Sequence, residues 1–150
     1  MAGGRQLAVE AAAFSGIHTG PLVALVNASD NRHALCARAL KHLPGTTSVY
    51  TVTSVLAEAF WLLPPGAKIV DSVFNCLAMI GCKLITPEPG DLLRIQELMK
   101  KYADLPMDFA DGEIVNAADK LSVNTIFTLD QRDFSLYRAK TFGKFRIIPE

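Results

Sequence analysis

The sequence has few of the residues that mark specialised classes of protein. Its three cysteines, Cys36, Cys76 and Cys82, are an odd number without a C-x-x-C pair, which predicts reduced thiols in a cytoplasmic protein. The three histidines are not spaced with these cysteines as zinc ligands are, so a zinc site is not expected. Internal repeats and low-complexity tracts are also missing, which excludes repeat and fibrous architectures.

Long apolar runs are absent as well. The longest apolar region, residues 69–85, contains Asp71, Asn75 and Lys83, so it is too short and too polar to span a bilayer. The opening stretch, "MAGGRQLAVEAAAFSG", has a short apolar run that Glu10 interrupts, which is not the pattern of a signal peptide. We therefore expect no association with a membrane.

What remains is the composition of a compact globular domain. Half of the 150 residues are hydrophobic, and the formal net charge is zero because fifteen basic residues balance fifteen acidic ones. No linker is long enough to divide the chain. We expect one domain over residues 1–150, with residues 1–13 as an N-terminal extension.

Short apolar strands alternate with helices along the chain. Strands are predicted at "FSGI", "SVYTV", "KLITP", "TIFTL" and "FRIIP", and helices follow each of the first four. The order β-α-α-β-α-α-β-α-α-β-α-β predicts an α/β fold, a three-layer α/β/α sandwich with a mainly parallel central sheet. Ser29 or Asp30 is expected to cap the second helix, and Thr53 or Ser54 the third.

Three acids lie where such a fold brings polar residues together. Asp130 follows the strand "TIFTL", Asp111 lies in the first turn of a helix that Asp108 caps, and Glu58 lies one turn into the helix after "SVYTV". In open parallel sheets the site lies beyond the carboxyl ends of the strands. Each acid has an ordinary alternative: solvent exposure for Glu58, a favourable helix dipole for Asp111, and a helix cap for Asp130. Their common destination nevertheless predicts one site.

Convergent carboxylates repel one another unless a cation lies among them. Ligands that are all oxygen select a hard divalent ion such as Mg²⁺ or Mn²⁺. Such an ion activates water and stabilises negative charge on phosphate, so the pattern indicates metal-dependent phosphodiester hydrolysis. A phosphatase on the same acids stays open at this point.

Four segments carry a resemblance to a known family: "HTGPLVALVNASDNRH", "TSVLAEAFWLL", "MDFADGEIVNAADKL" and "TIFTLDQRDF". In their order and approximate spacing, over about residues 14–148, the chain resembles the PIN-domain nucleases, in particular the VapC-type toxins of prokaryotic toxin–antitoxin pairs. The resemblance implies an α/β/α fold and Mg²⁺- or Mn²⁺-dependent cleavage of RNA. The family's second, third and fourth acids fall on Glu58, Asp111 and Asp130.

The same resemblance implies accessory groups and partners. Asp108 and Asp133 lie beside the acids as candidates for orienting ligands or water, and Thr53 or Ser54 matches a hydroxyl position that the family often has near its site. The expected partners are an RNA substrate, a cognate antitoxin laid into an apolar groove, and a second copy of the chain in a homodimer.

The first acid of the family pattern is missing. Sequences of this group usually read "DTGPL", whereas this chain reads "HTGPL" and has His18 in the place of the Asp. A carboxylate about 4 Å from a unit charge contributes roughly 4 kcal/mol at an effective dielectric near 20, so its loss is expected to weaken Mg²⁺ binding. Imidazole tolerates Mn²⁺ or a later transition metal better. Natural loss of activity, a changed metal preference, or a substitution introduced to silence a harmful toxin all account for His18.

Two classes of function therefore compete. The first is a metal-dependent endoribonuclease toxin, and its basic C-terminal residues are candidates for holding RNA phosphates: Arg132, Arg138, Lys140, Lys144 and Arg146. The second is a catalytically silent PIN-like module that retains antitoxin or RNA binding, which His18 favours. A phosphatase or a DNA nuclease on the same acids is a third alternative.

Overall fold

The computed structural model describes residues 14–150 and confirms the predicted three-layer α/β/α sandwich. The expected extension, residues 1–13, lies outside the described residues. The strands in this range are β1 (Phe14–Ile17), β2 (Ser48–Val52), β3 (Lys83–Ile85), β4 (Thr125–Phe127), β5 (Arg138–Ala139), β6 (Gly143–Lys144) and β7 (Arg146–Ile148). The helices are α1 (Thr19–Val26), α2 (His33–Lys41), α3 (Thr53–Leu62), α4 (Ala67–Met79), α5 (Asp91–Lys101), α6 (Phe109–Leu121) and α7 (Gln131–Leu136).

The central sheet has the strand order β3-β2-β1-β4-β7, and every neighbouring pair is parallel. The connections from β1 to β2 and from β2 to β3 both move the chain toward the β3 edge of the sheet. Because such crossovers are right-handed, they place α1 to α4 on the same face. The chain then crosses back to β4, which places α5 and α6 on the other face. The short antiparallel pair β5–β6 was not predicted from the sequence.

The core lies where the strands are sandwiched between these layers. Ile17, Val52, Ile126 and Phe127 from the sheet are fully or almost fully buried, as short apolar strands covered on both faces require. On one face α1 contacts α2, α3 and α4, and on the other α5 packs against α6. None of the helices in residues 14–150 is long and apolar enough to cross a membrane.

Two predicted helix caps are wrong. Helix α2 begins at His33, because Asp30 Oδ1 accepts a hydrogen bond of 2.8 Å from the Arg32 amide and stabilises a turn ahead of the helix. Helix α3 begins directly after β2, with Val52 in the N-cap position. Thr53 and Ser54 therefore lie in the first turn, and their hydroxyls bind a distant side chain instead of the local backbone.

Candidate active site

The carboxyl ends of β1 and β4 meet at one edge of the sheet. The two strands pair with Ile17 beside Phe127, so the residues that follow them, His18 and Thr128, are also neighbours. The His18 amide donates to the Phe127 carbonyl at 2.9 Å, and its Nδ1 lies 3.0 Å from Thr128 Oγ1. The end of β1 is thus tied to β4 through both backbone and side chain.

Helix α6 brings Asp111 to the same edge. Asp108 is its N-cap, as predicted, and Asp108 Oδ1 accepts a hydrogen bond of 2.8 Å from the Asp111 amide. Asp111 is buried, and its Oδ2 accepts a hydrogen bond of 3.0 Å from the Tyr137 hydroxyl. Burial and the adjacent Asp111 carboxylate raise the pKa of Tyr137, so the phenol stays protonated and keeps donating.

The His18 imidazole lies beside the other oxygen of Asp111. Its Nε2 lies 2.9 Å from Asp111 Oδ1, yet neither buried atom has a hydrogen-bond partner, because the two are close without being aligned for a hydrogen bond. Thr128 Oγ1 accepts from the Asp130 amide at 3.0 Å and also lies 3.0 Å from His18 Nδ1, so it links His18 to the backbone of Asp130.

Glu58 is held close to this group from the α3 side. Its Oε2 accepts a hydrogen bond of 2.7 Å from the hydroxyl of Thr19, the residue after His18. Glu58 is half-buried and is therefore not the simply solvent-facing residue that its helix position alone allowed. Burial raises the pKa of the Asp108 carboxyl, and the negative charge of Glu58 contributes to the same shift.

Asp130 occupies the end of the β4 segment and caps α7. Its Oδ1 accepts a hydrogen bond of 3.3 Å from the Asp133 amide, so the ordinary capping role foreseen in the sequence is present. Burial raises the pKa of Asp130, and the negative charges of Asp133 and Asp111 raise it further, while His18 opposes them. Asp130 therefore belongs electrostatically to the same cluster as Asp111.

The pKa of Asp108 is raised for the same reasons. The surrounding protein desolvates its carboxyl, and the Asp111 and Glu58 carboxylates add repulsion, while the hydrogen bond from the Asp111 amide and the nearness of His18 work against them. We call His18, Glu58, Asp108, Asp111 and Asp130 the acid cluster. In this group four acidic side chains and one histidine lie close enough to alter the pKa values of Asp108 and Asp130.

One buried acid of this region was missed from the sequence. Glu113 is 2% exposed, and it accepts hydrogen bonds from the hydroxyls of Ser54 and Thr53, the latter at 3.4 Å. The pair joins the start of α3 to the middle of α6. The signal was present, because Glu113 stands among apolar residues in "GEIVNAA" just as Glu58 does in its own helix.

The side chains of the acid cluster do not surround one common metal position. Within residues 14–150, no group of three or more His, Cys, Asp and Glu side chains is arranged as a metal cage. What the cluster does contain is a buried carboxylate oxygen, Asp111 Oδ1, that accepts no hydrogen bond. An unsatisfied buried acceptor of this kind favours a nearby positive charge.

Comparison with solved structures gives the fold a family context. VapC20 of Mycobacterium tuberculosis, a sarcin-ricin loop cleaving toxin, superposes with a TM-score of 0.67 and 19% identity, covering 79% of this chain and 91% of that one. VapBC2 of Rickettsia felis, solved with a DNA fragment from its promoter, gives 0.62 and 13% over 89% of this chain and 98% of that one. The chain has the fold of the VapC toxins.

A toxin–antitoxin complex from Klebsiella pneumoniae also superposes on this chain, with a TM-score of 0.57 and 18% identity over 81% of this chain and 90% of that one. No protein-family model matches the sequence, and no curated protein matches it either. The likeness to VapC toxins is therefore one of three-dimensional structure. It confirms, at the level of the fold, the resemblance noted in the sequence.

Proposed function

We propose that the protein is a metal-dependent endoribonuclease and the toxin of a toxin–antitoxin pair. What supports this proposal is that Glu58 and Asp111 both lie near Asp108, and that Asp111 and Asp130 both lie near His18, beyond the carboxyl ends of the strands in a VapC-type sheet. VapC20, which shares the fold, is a sarcin-ricin loop cleaving toxin, and another structural neighbour is a toxin–antitoxin complex. RNA phosphodiester hydrolysis is the activity that both the fold and these acids favour.

The donor set fits Mg²⁺ or Mn²⁺ in kind, because carboxylate oxygens are the ligands that hard divalent ions prefer. Asp111, Asp130 and Glu58 would hold the ion, with the unpartnered Asp111 Oδ1 as the first contact. When bound, the ion supplies an activated water and stabilises charge on the phosphate. His18 lies 2.9 Å from that oxygen, so an ion would compete with the imidazole for Asp111.

Neighbouring side chains position these acids. Asp108 and Tyr137 each hold a different part of Asp111, one its backbone amide and the other its carboxylate. The Thr19 hydroxyl holds Glu58, and Asp130 is fixed by its cap to the Asp133 amide. Most of these contacts fix the acids through single hydrogen bonds, which keeps the carboxylates oriented without neutralising them.

RNA cleavage with purified protein tests the proposal. Radiolabelled RNA would be incubated with Mg²⁺, with Mn²⁺ and with a chelator. Asp111→Asn and Asp130→Asn are expected to lower any metal-stimulated cleavage by at least about 100-fold, the scale of losing an essential electrostatic group. Asp71→Asn, an exposed acid on α4, is the matched control. Undiminished cleavage by the two site variants would refute the site.

A second function, a catalytically silent binding module, is favoured by the position of His18. The imidazole replaces a carboxylate that a metal site would use, and it already contacts Asp111. The variant His18→Asp distinguishes the two functions. Cleavage by His18→Asp but not by the parent chain would identify a disabled nuclease, whereas silence in both, across several RNAs, would support the binding module.

We propose an antitoxin and a second copy of the chain as partners in the cytoplasm. The support is apolar surface that the fold leaves uncovered within the described residues. Helix α5 exposes Leu92 and Leu93, and these two side chains line one concave surface together with the exposed Phe109 of α6. Monomers expose scattered apolar residues routinely, but neighbouring large ones mark interaction surfaces.

A further inference from the structure

A cavity of about 470 Å³ lies at the opposite edge of the sheet from the acid cluster. Its floor includes Ser15 near the start of β1, Thr47 just ahead of β2, Thr125 at the start of β4 and Arg146 at the start of β7. Helix α2 forms a wall. None of the acid-cluster residues lines this cavity, so the proposed nuclease site does not account for it.

Two arginines at the cavity have no acidic partner. Arg38 from α2 and Arg146 from β7 both line it, and within residues 14–150 neither side chain forms an ion pair or a hydrogen bond. Glu150 is the acidic residue among the lining side chains, and it pairs with neither arginine. Two unpaired guanidinium groups at one concave site favour an anion, and most of all a phosphate or carboxylate.

Further polar groups point to the same chemistry. His42 Nδ1 lies 2.7 Å from the Arg38 carbonyl, which can only accept, so Nδ1 carries a proton and Nε2 is left for a ligand. The Thr47 hydroxyl is buried and has no hydrogen-bond partner in the described protein. A buried hydroxyl without a partner is costly, so the Thr47 side chain would gain a hydrogen bond by turning toward a ligand oxygen in the cavity.

The remaining lining is apolar, which indicates that the ligand has an apolar part as well as a charged one. Leu35, Ala39, Leu43 and Ile148 face the cavity, and its volume lies within the range of small-molecule sites. Inorganic phosphate alone would leave these apolar walls in water. We propose that this cavity binds a small organic anion of nucleoside-monophosphate size, with its phosphate or carboxylate at Arg38 and Arg146 and its ring against the apolar wall.

Isothermal titration calorimetry on the full chain, with a chelator present, tests the proposal separately from RNA cleavage. The probes are AMP, adenosine, indole-3-acetate and inorganic phosphate. AMP or indole-3-acetate is expected to bind with Kd below about 1 mM, and adenosine and inorganic phosphate at least about 10-fold more weakly. The AMP and indole-3-acetate arms distinguish a nucleotide from an aromatic carboxylic acid.

The double variant Arg38→Gln/Arg146→Gln is expected to weaken the tighter anion by about 10- to 100-fold. Its matched control is Lys41→Gln/Lys144→Gln, which removes two charges from α2 and the neighbouring β6 but does not alter the lining. Thr47→Val tests the buried hydroxyl without changing side-chain size. An unchanged thermal midpoint in each variant would separate lost binding from lost folding.

The results that would overturn the proposal are specific. Failure of both organic anions to bind up to about 10 mM would do so, as would adenosine binding as tightly as AMP. An equal loss of anion affinity in the lysine control would mean that positively charged side chains in general, and not the two arginines of the cavity, attract the anion. Binding of an RNA oligonucleotide at the cavity without any binding of the small anions would replace the proposed ligand with RNA backbone.

Discussion

At the scale of single residues, the chemistry of the molecule depends on which groups lie against the two carboxylate oxygens of Asp111. One carboxylate oxygen receives the Tyr137 hydroxyl, and the other faces the His18 imidazole without an aligned hydrogen bond. A local pattern in the sequence predicted that Asp111 lies in the first turn of a helix and that Asp108 caps it. The contact to Tyr137 was not predictable, because it joins residues whose approach depends on how α7 and β5 return to α6.

Tyr137→Phe is expected to destabilise the fold by about 1–3 kcal/mol. The change keeps the ring that packs against Phe134 and Tyr102 but leaves Asp111 Oδ2 buried without its donor. Urea denaturation of both proteins measures the difference. As a control, Tyr50→Phe removes a buried hydroxyl that has no partner, and it is expected to be neutral or stabilising.

The raised pKa of Asp130 makes stability depend on pH. An acid whose pKa is higher in the folded than in the unfolded chain binds more protons when folded, so the free energy of unfolding falls as pH rises through its titration. Asp130→Asn keeps a capping oxygen and removes the charge. Without metal, it is expected to raise the free energy of unfolding at pH 7 by at most about 1 kcal/mol, or about 2 °C in Tm, because solvent screens the charge of a partly exposed carboxylate.

That gain should disappear below the usual carboxyl pKa near 3.8, where both forms of the chain carry a protonated Asp130. Denaturation curves at pH 7 and at pH 3 give the comparison, with Asp71→Asn as the reference for loss of an exposed charge. A gain of equal size at both pH values would show that charge repulsion is not its cause.

At the scale of secondary-structure elements, the central strand β1 is the most constrained. A Cβ on Gly16 would lie 2.9 Å from Tyr50 Cζ and 3.0 Å from Ile126 Cδ1, closer than packed atoms approach. The short apolar strands and their order were predictable from the alternation of segments. The helix starts at His33 and Thr53 were not, because Asp30 stabilises a separate turn and Glu113 draws the hydroxyls of α3 away from capping.

Gly16→Ala is expected to cost about 1–3 kcal/mol of stability, since the side chains of β2 and β4 must move to admit one methyl group. Combining it with Tyr50→Leu, which removes the crowding phenol, should recover part of that cost relative to Tyr50→Leu alone. A double-mutant cycle from chemical denaturation measures this coupling. Additive losses would mean that Tyr50 is not the obstacle.

At the scale of the whole molecule, the fold was predictable but the surface was not. The order of strands and helices fixes a parallel sheet with its polar ends at one edge, so the position of Asp130 follows from sequence. Exposure of Leu93 and Trp61 does not follow, because an amphipathic pattern has the same appearance whether its apolar face meets the core or a partner. The cavity of α2 and β7 likewise joins residues far apart in the chain.

We expect the chain alone to sediment as a dimer at tens of micromolar concentration, and Leu93→Glu to shift it to monomer. Leu93 is 67% exposed on α5, so the substitution should leave Tm unchanged within about 2 °C. Thr46→Glu, at an exposed loop position, controls for the added charge. Sedimentation velocity over a concentration series measures the state, and a parent chain that is monomeric throughout would remove the dimer from the proposal.

The two outer strands of the sheet limit how such a complex forms. Both β3 and β7 are three residues long, and they begin with the basic residues Lys83 and Arg146. Such short edge strands are poor templates for strand addition, because too few main-chain groups are offered to an incoming strand. Partners are therefore expected to bind through the side chains of the helices and not through the edges of the sheet. Single substitutions on the helix surfaces could then change which partner binds. The sheet itself would stay protected from edge-to-edge aggregation.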